Sequence, residues 1–231
     1  MRILIISDMM STEKILTFVP RVSLLCCRSK LYVDGPLLVN DDGLHGMVEK
    51  CGGIDLTSGP HVVYIEGFQA GGGVGMVATF SGPDTGGKKV LMKSGTVFGG
   101  GGGGGGGGSS GGGSYFGQCN PTAQQDPSQF TICMFRSNAG LRSIPKLSIA
   151  DSGASPLRFV GKGRLQVIDL RDLRQFRAAV SGTPDANYAW AIYGQLRIGT
   201  AGRYTLCITS DDGYSDPLYP AFQTRWSNID I

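Results

Sequence analysis

Charged side chains are scarce in this 231-residue chain, where Asp, Glu, Lys and Arg together make up 17% of the sequence. The net charge is only +3, and the densest group of basic residues, between positions 158 and 177, is interrupted by Asp169 and Asp172. A nucleic-acid-binding protein should instead show a concentrated basic face. The composition therefore argues against a nucleic-acid partner and predicts a solvated surface for this basic group.

Long apolar runs are also missing. The run Ile3–Ile6 stops at Ser7, which is too short for the apolar core of a signal peptide. The later run Ile15–Cys27 contains Pro20 and Arg21, so we predict no membrane span there. The chain carries no Ser/His/Asp or Cys/His motif set either, and we therefore expect that it is not an enzyme.

Metal-ligand spacing is absent among the cysteines. They lack CxxC spacing and the two histidines are remote from them in sequence, which argues against a zinc site. An even number of cysteines fits an oxidising compartment, but six cysteines allow fifteen pairings. Two of them flank a short segment and are candidates for a local bridge, whereas the last is expected to be a free buried thiol. The six are Cys26, Cys27, Cys51, Cys119, Cys133 and Cys207.

Glycine is abundant, with 38 residues, and ten of them are consecutive from Gly99. Residues 94–114 form a Gly/Ser-rich stretch without core-forming side chains, and we predict that Gly99–Ser114 is a flexible, disordered linker. Residues 115–157 are rich in polar residues and proline. We expect them to be irregular apart from a strand at Phe130–Phe135.

Alternation of apolar and polar residues predicts strands on both sides of the linker. In the stretch Asn187–Gly213, the turn residues Gly199–Gly202 separate two apolar runs and predict a hairpin. We also predict a strand near Leu165–Ile168 and then a short amphipathic helical turn. The residues expected to point towards a core are Val63, Ile65, Val74, Met76, Ala78, Phe80, Tyr204, Leu206 and Ile208. Tyr32 is also expected to contact this core.

Two adjacent carboxylates, Asp211 and Asp212, follow the last of these strands. Such a pair is unfavourable unless solvent, hydrogen-bond donors or a cation neutralises it. The residues alone leave two interpretations open, a solvated turn or a site for a hard metal ion such as calcium.

The motifs of this region resemble the PA-14 domain, a sugar-binding type of β-sandwich named after anthrax protective antigen. One half of the family pattern matches Tyr188–Gly194, Ala201-Gly202, Tyr204 and Ser210–Gly213. The other half, which normally follows, matches Ser29-Lys-Leu-Tyr-Val-Asp-Gly35 and the segments after it, up to Phe80. The two halves therefore stand in swapped order. The resemblance divides the chain into an unmatched segment (1–28), the second half (29–93), the linker (94–114), an irregular segment (115–157), the first half (158–213) and an unmatched tail (214–231).

This order of halves has two structural outcomes. The halves could form two incomplete sandwiches, each with exposed strand edges. Alternatively, they could pack as one circularly permuted, antiparallel all-β sandwich, and we predict this second outcome because it buries both half-cores while loop closure costs little.

The resemblance implies an extracellular or cell-surface carbohydrate-binding or adhesion module that is lectin-like, with glycans or cell-surface glycoproteins as partners. In the calcium-dependent branch of the family the paired aspartates bind calcium, which implies that Asp211 and Asp212 are metal ligands here. That branch also uses an asparagine on a later loop, which corresponds to Phe68–Gly73 here. This chain offers Gln69 at that place, and we predict that Asp211 and Asp212 lie beside this loop. Gln69, Gly71 and Gly72 are therefore further candidates for ligand binding. Two alternatives are a structural spacer from a tandem-repeat surface protein without a sugar ligand and a fragmentary gene product.

Overall fold

The computed structural model describes residues 28–41, 47–95, 119, 127–141, 143–145, 147 and 156–210. The glycine tract, both ends of the chain and the Asp211–Asp212 pair lie outside these residues, so the predictions made for them remain predictions. The described part is an all-β sandwich of two antiparallel sheets. Its strands are β1 (Arg28–Val33), β2 (Leu37–Asp41), β3 (Val48–Leu56), β4 (Gly59–Gln69), β5 (Met76–Ser81), β6 (Val90–Leu91), β7 (Phe130–Ser137), β8 (Leu157–Leu165), β9 (Asp169–Leu170), β10 (Tyr188–Ile198) and β11 (Gly202–Ser210).

The two segments on either side of the glycine tract are interleaved in both sheets. The six-stranded sheet has the order β2-β1-β4-β10-β7-β8, and the other has the order β3-β11-β5-β6, with β9 paired to β5. At the centre of the first sheet, β4 pairs with β10 from Gly59 opposite Ile198 to Gln69 opposite Tyr188. In the second sheet, β11 lies between β3 and β5. Neither segment could therefore complete a sheet alone, which excludes two separate half-sandwiches for the described residues.

One apolar core fills the space between the sheets. Side chains from both segments belong to it, because every second residue of a strand points to the same face. The prediction that Tyr32 contacts this core is wrong, because its neighbours Leu31 and Val33 take the inward positions of β1. The nine other core positions predicted from the alternating pattern are confirmed. They are Val63, Ile65, Val74, Met76, Ala78, Phe80, Tyr204, Leu206 and Ile208.

A second apolar cluster covers the outer face of the six-stranded sheet. It joins β4, β7, β8 and β10 to Cys119, Leu141 and Leu147 from the segments around β7. A disulfide between Cys119 and Cys133 links the segment before β7 to this strand. It confirms the local bridge predicted from the short spacing of these two cysteines. The predicted strand in this region is confirmed as β7.

The predicted hairpin at Gly199–Gly202 is wrong. β10 belongs to the six-stranded sheet and β11 to the other, so the turn carries the chain across the sandwich. The local pattern of two apolar runs around a glycine-bearing turn fits both connections, because it does not specify strand partners. The crossing is held by Asp84, whose carboxylate accepts hydrogen bonds from the backbone N–H groups of Gly199 and Thr200, both at 2.7 Å.

The region from Leu165 to Ala179 follows the prediction only in part. Leu165 ends β8 instead of starting a strand, and Val167 forms a single bridge with Lys93. The helical turn is confirmed as α1 (Leu173–Ala179), which buries Phe176. Its N-terminus is capped because the Asp172 side chain accepts from the Gln175 N–H at 2.8 Å.

The expectation of a free thiol at Cys207 is also wrong, because Cys207 forms a disulfide with Cys51. The two residues lie directly opposite each other on β11 and β3, with Cα atoms 4.0 Å apart. Cross-strand neighbours approach closely in antiparallel sheets, which brings the sulfur atoms within bonding reach. The two cysteines are 156 residues apart in the sequence, so no local pattern could predict their pairing.

Candidate functional site

The end of the sandwich at which β11 stops is the place where the sequence predicts a ligand site. Ser210, the last residue of β11, pairs with Met76 at the start of β5 and with Val48 at the start of β3. The loop of residues 70–75 joins β4 to Met76, so the chain leaves β11 beside this loop. Asp211 and Asp212 come next in sequence but lie outside the described residues, and their contact with the loop stays a prediction.

A buried polar network supports this end of the molecule. The Ser29 hydroxyl donates to the Ser210 hydroxyl at 3.0 Å, and Ser210 donates in turn to the Asp41 carboxylate at 2.8 Å. Asp41 is fully buried, and its second oxygen lies 3.0 Å from the ammonium group of Lys50, whose side chain remains 42% exposed. A buried carboxylate is strongly unfavourable unless it is paired and hydrogen-bonded. The network therefore links the start of β1 to the ends of β2 and β11.

Gln69 is buried and organises the loop that follows it. Its side-chain amide donates to the carbonyl oxygens of Gly72 at 3.1 Å and Gly73 at 2.6 Å. Gly72 has a positive φ of 89°, which glycine adopts without a steric penalty. Gly71 borders open space, since a Cβ atom there would contact nothing within 4 Å. The structure thus gives Gln69 a role inside its own loop.

Tyr32, Tyr64 and Glu66 form a polar aromatic cluster on the outer face of the six-stranded sheet. Tyr32 and Tyr64 are cross-strand neighbours with ring centroids 5.5 Å apart. Both hydroxyls donate to the Glu66 carboxylate, at 2.9 and 3.2 Å. Burial raises the pKa of both tyrosines well above the usual value, and the negative charge and hydrogen bonds of Glu66 raise it further. Both tyrosines therefore remain neutral hydrogen-bond donors at physiological pH.

Both ring nitrogens of His61 make contacts that stabilise the fold. Its ring nitrogens face two acceptors, an Asp34 carboxylate oxygen at 2.6 Å and the Thr57 carbonyl at 2.8 Å. The other Asp34 oxygen accepts from the Val62 N–H at 2.8 Å. These contacts tie the turn between β1 and β2, where Asp34 has a positive φ, to β4.

Sequence reasoning missed a group of potential metal ligands on the outer face of the second sheet. One ligand atom each from Glu49, Cys51 and Cys207 lie within 4.8 Å of one another. In the described part of the chain this is the one cluster of three or more such residues. Spacing rules could not find it, because the ligands come from two strands that are far apart in sequence.

Comparisons with family models, curated proteins and solved structures found no match for the chain. In the parts of the chain that the structure describes, no helix has the length and apolar character required to cross a membrane.

Proposed function

We propose that the chain is a non-catalytic carbohydrate-binding or adhesion module of an extracellular or cell-surface protein. Its ligand site would lie at the end of the sandwich formed by Ser210, the 70–75 loop and the Asp41 network. The observation that carries this proposal is the pairing of Ser210, the residue before Asp211, with Met76, the residue after the 70–75 loop. The motif resemblance supports a glycan or a cell-surface glycoprotein as the ligand.

Calcium is the cation that suits this end of the molecule. It prefers six to eight oxygen ligands, and Asp211 and Asp212 would supply carboxylate oxygens. The carbonyl groups of Gly71 and Gly72 are further hard donors of the adjacent loop. A sugar that binds there would complete the coordination shell with its hydroxyl groups. When bound, the cation would fix the orientation of these hydroxyls.

Isothermal titration calorimetry with calcium tests the metal site directly. We expect calcium uptake by the wild-type chain and its loss in Asp212→Ala, because one of two carboxylate ligands disappears. Asp55→Ala is the matched control, since Asp55 is an exposed carboxylate paired with Arg203 at the opposite end of β11. No heat and no thermal stabilisation at millimolar calcium would contradict a calcium site.

A glycan array with and without calcium tests the ligand class. Sugar binding that requires calcium and is lost in Asp212→Ala would support the lectin-like function. Absence of binding to any glycan under both conditions would contradict it.

A structural spacer is the second candidate, and the environment of Gln69 favours it. The buried amide of Gln69 binds the carbonyls of its own loop, which stabilises the loop without a ligand. A spacer is expected to keep its stability and shape when calcium and glycans are added or removed. Thermal unfolding that is insensitive to both would support this candidate.

A further inference from the structure

We infer that Cys51, Cys207 and Glu49 form a second metal site, specific for a soft cation such as Zn²⁺, when their disulfide is reduced. This site lies on the outer face of the sheet formed by β3, β11 and β5. Glu49 lies opposite Thr209, one residue before the end of β11 at which the calcium-type site is proposed. In the oxidised chain the two sulfur atoms are bonded to each other and the site is closed. Reduction turns the same three residues into two thiolates and a carboxylate.

One of the distances that tetrahedral zinc coordination requires is already present. Zinc binds sulfur at about 2.3 Å and carboxylate oxygen at about 2.0–2.2 Å, so two such ligands on one zinc ion lie about 3.5 Å apart. The Cys51 sulfur lies 3.7 Å from a Glu49 carboxylate oxygen. Two sulfurs on one zinc would lie about 3.8 Å apart, a separation that opposite residues of adjacent strands can reach. All three ligand atoms already lie within 4.8 Å of one another, so rotation of their side chains would bring them to one ion, and a water molecule would take the fourth position.

The redox step is balanced by an external dithiol. The dithiol supplies two electrons and two protons to the Cys51–Cys207 bond and becomes a disulfide itself. Zinc binding then releases the two thiol protons, because thiolates are the ligands. Thiolate ligands favour soft cations over calcium or magnesium. In the oxidised chain a Glu49 carboxylate oxygen lies 2.6 Å from the Lys89 ammonium nitrogen. Glu49 gives up this ion pair when it binds the metal.

Exposure makes this disulfide the accessible one of the two that the structure describes. Cys51 is exposed on β3, an edge strand, although its partner Cys207 is only 2% exposed. Both cysteines of the other disulfide are buried, Cys119 at 1% and Cys133 at 0% exposure. Attack by a reductant requires access to a sulfur atom. Mild reduction should therefore open the Cys51–Cys207 bond and leave the Cys119–Cys133 bond closed.

The test uses the full chain with Cys26→Ser and Cys27→Ser, so that these two cysteines contribute no thiols. After treatment with a water-soluble phosphine, which does not compete strongly for zinc, two thiols per chain are expected in a thiol assay. Titration with cobalt(II) should then give a thiolate-to-metal charge-transfer band at one metal per chain, and zinc should displace the cobalt. The oxidised chain should show no such band.

Three variants and one chemical control complete the test. Glu49→Gln should weaken zinc affinity about tenfold, whereas Glu66→Gln, on the other sheet, should leave the affinity unchanged. Cys51→Ser with Cys207→Ser should abolish uptake, and alkylation of the reduced wild-type thiols should do the same if that variant does not fold. Absence of cobalt or zinc uptake after reduction would overturn the inference. Equal zinc affinities of Glu49→Gln and the unsubstituted chain would also overturn it.

Discussion

Tyr204 shows how much one side chain contributes to this sandwich. Its hydroxyl donates to the Thr200 carbonyl at 2.7 Å and accepts from the Asp84 N–H at 3.4 Å. Its ring covers Gly82 so closely that a Cβ atom there would lie 2.2 Å from a ring carbon. Any side chain at position 82 would therefore displace the ring. Burial raises the pKa of Tyr204 to about 12.

This raised pKa predicts a loss of stability at alkaline pH. The unfolded tyrosine ionises at a pKa of 10.0 and the folded one at about 12, so between these values the unfolded state binds fewer protons. The stabilisation is complete below pH 10 and decreases as pH rises towards 12, with a slope of up to about 1.4 kcal/mol per pH unit. Urea unfolding at a series of pH values would measure this decrease.

Tyr204→Phe is the control for that measurement. It should be less stable than wild type at pH 8 by about 1 kcal/mol, because it lacks the hydroxyl hydrogen bonds. Above pH 10 its stability should fall less steeply, although Tyr32 and Tyr64 still titrate with raised pKa values. Identical slopes for the two proteins would contradict the assignment to Tyr204.

At the scale of elements, the crossing from β10 to β11 depends on a carboxylate from another loop. Asp84→Ala should lower the free energy of unfolding by about 2 kcal/mol, because two backbone N–H groups lose a charged acceptor. Denaturant unfolding measures the change. Asp55→Ala should change stability by less than about 1 kcal/mol, because its ion pair with Arg203 is exposed. A similar loss in both variants would contradict the specific role of Asp84.

The strands could be predicted from sequence much better than their partners. Alternation identified the inward residues of β4, β5 and β11 because burial on one face has a period of two. It could not show that β10 and β11 lie in different sheets, or that Cys51 opposes Cys207. Both facts depend on contacts between residues that are more than a hundred positions apart in the sequence. For the same reason only the folded structure shows that the potential metal ligands Glu49, Cys51 and Cys207 lie close together.

Of the candidate site, the sequence predicted a loop over Phe68–Gly73, but Phe68 and Gln69 are the buried last residues of β4. The sequence also did not show what supports this loop. Asp41 stands next to Asp42 and Gly43 in the sequence, yet it is fully buried and bound by Ser210 and Lys50. No local pattern indicates such a network, because its members come from β1, β2, β3 and β11. Asp211 and Asp212 remain predictions of the sequence.

At the scale of the whole molecule, we predict from the interleaved sheets that the protein stays folded when the chain is cleaved in the glycine tract. With a protease site inserted within Gly99–Ser114, cleavage should leave the two fragments associated through β4–β10 pairing and the common core. On a non-reducing gel they should stay covalently linked by Cys51–Cys207.

A reduced sample shows whether the two fragments stay together through their common core or only through the Cys51–Cys207 disulfide. After mild reduction the cleaved fragments should still elute together on size exclusion at the volume of the intact chain. Cys51→Ser combined with Cys207→Ser should behave in the same way if it folds. Separation of the fragments under native, reducing conditions would contradict a common core.

The pairing of β4 with β10 also determines when this protein can fold during its synthesis. The partners are separated by roughly 120 residues, which a ribosome takes roughly 6–24 s to add at about 5–20 residues per second. During that interval one edge of β4, with the apolar residues Val63 and Ile65, has no strand to pair with. Unpaired apolar edges invite association with other chains. Expression at lower temperature or with a chaperone that shields nascent chains should therefore increase the soluble yield more than any change to the surface charge.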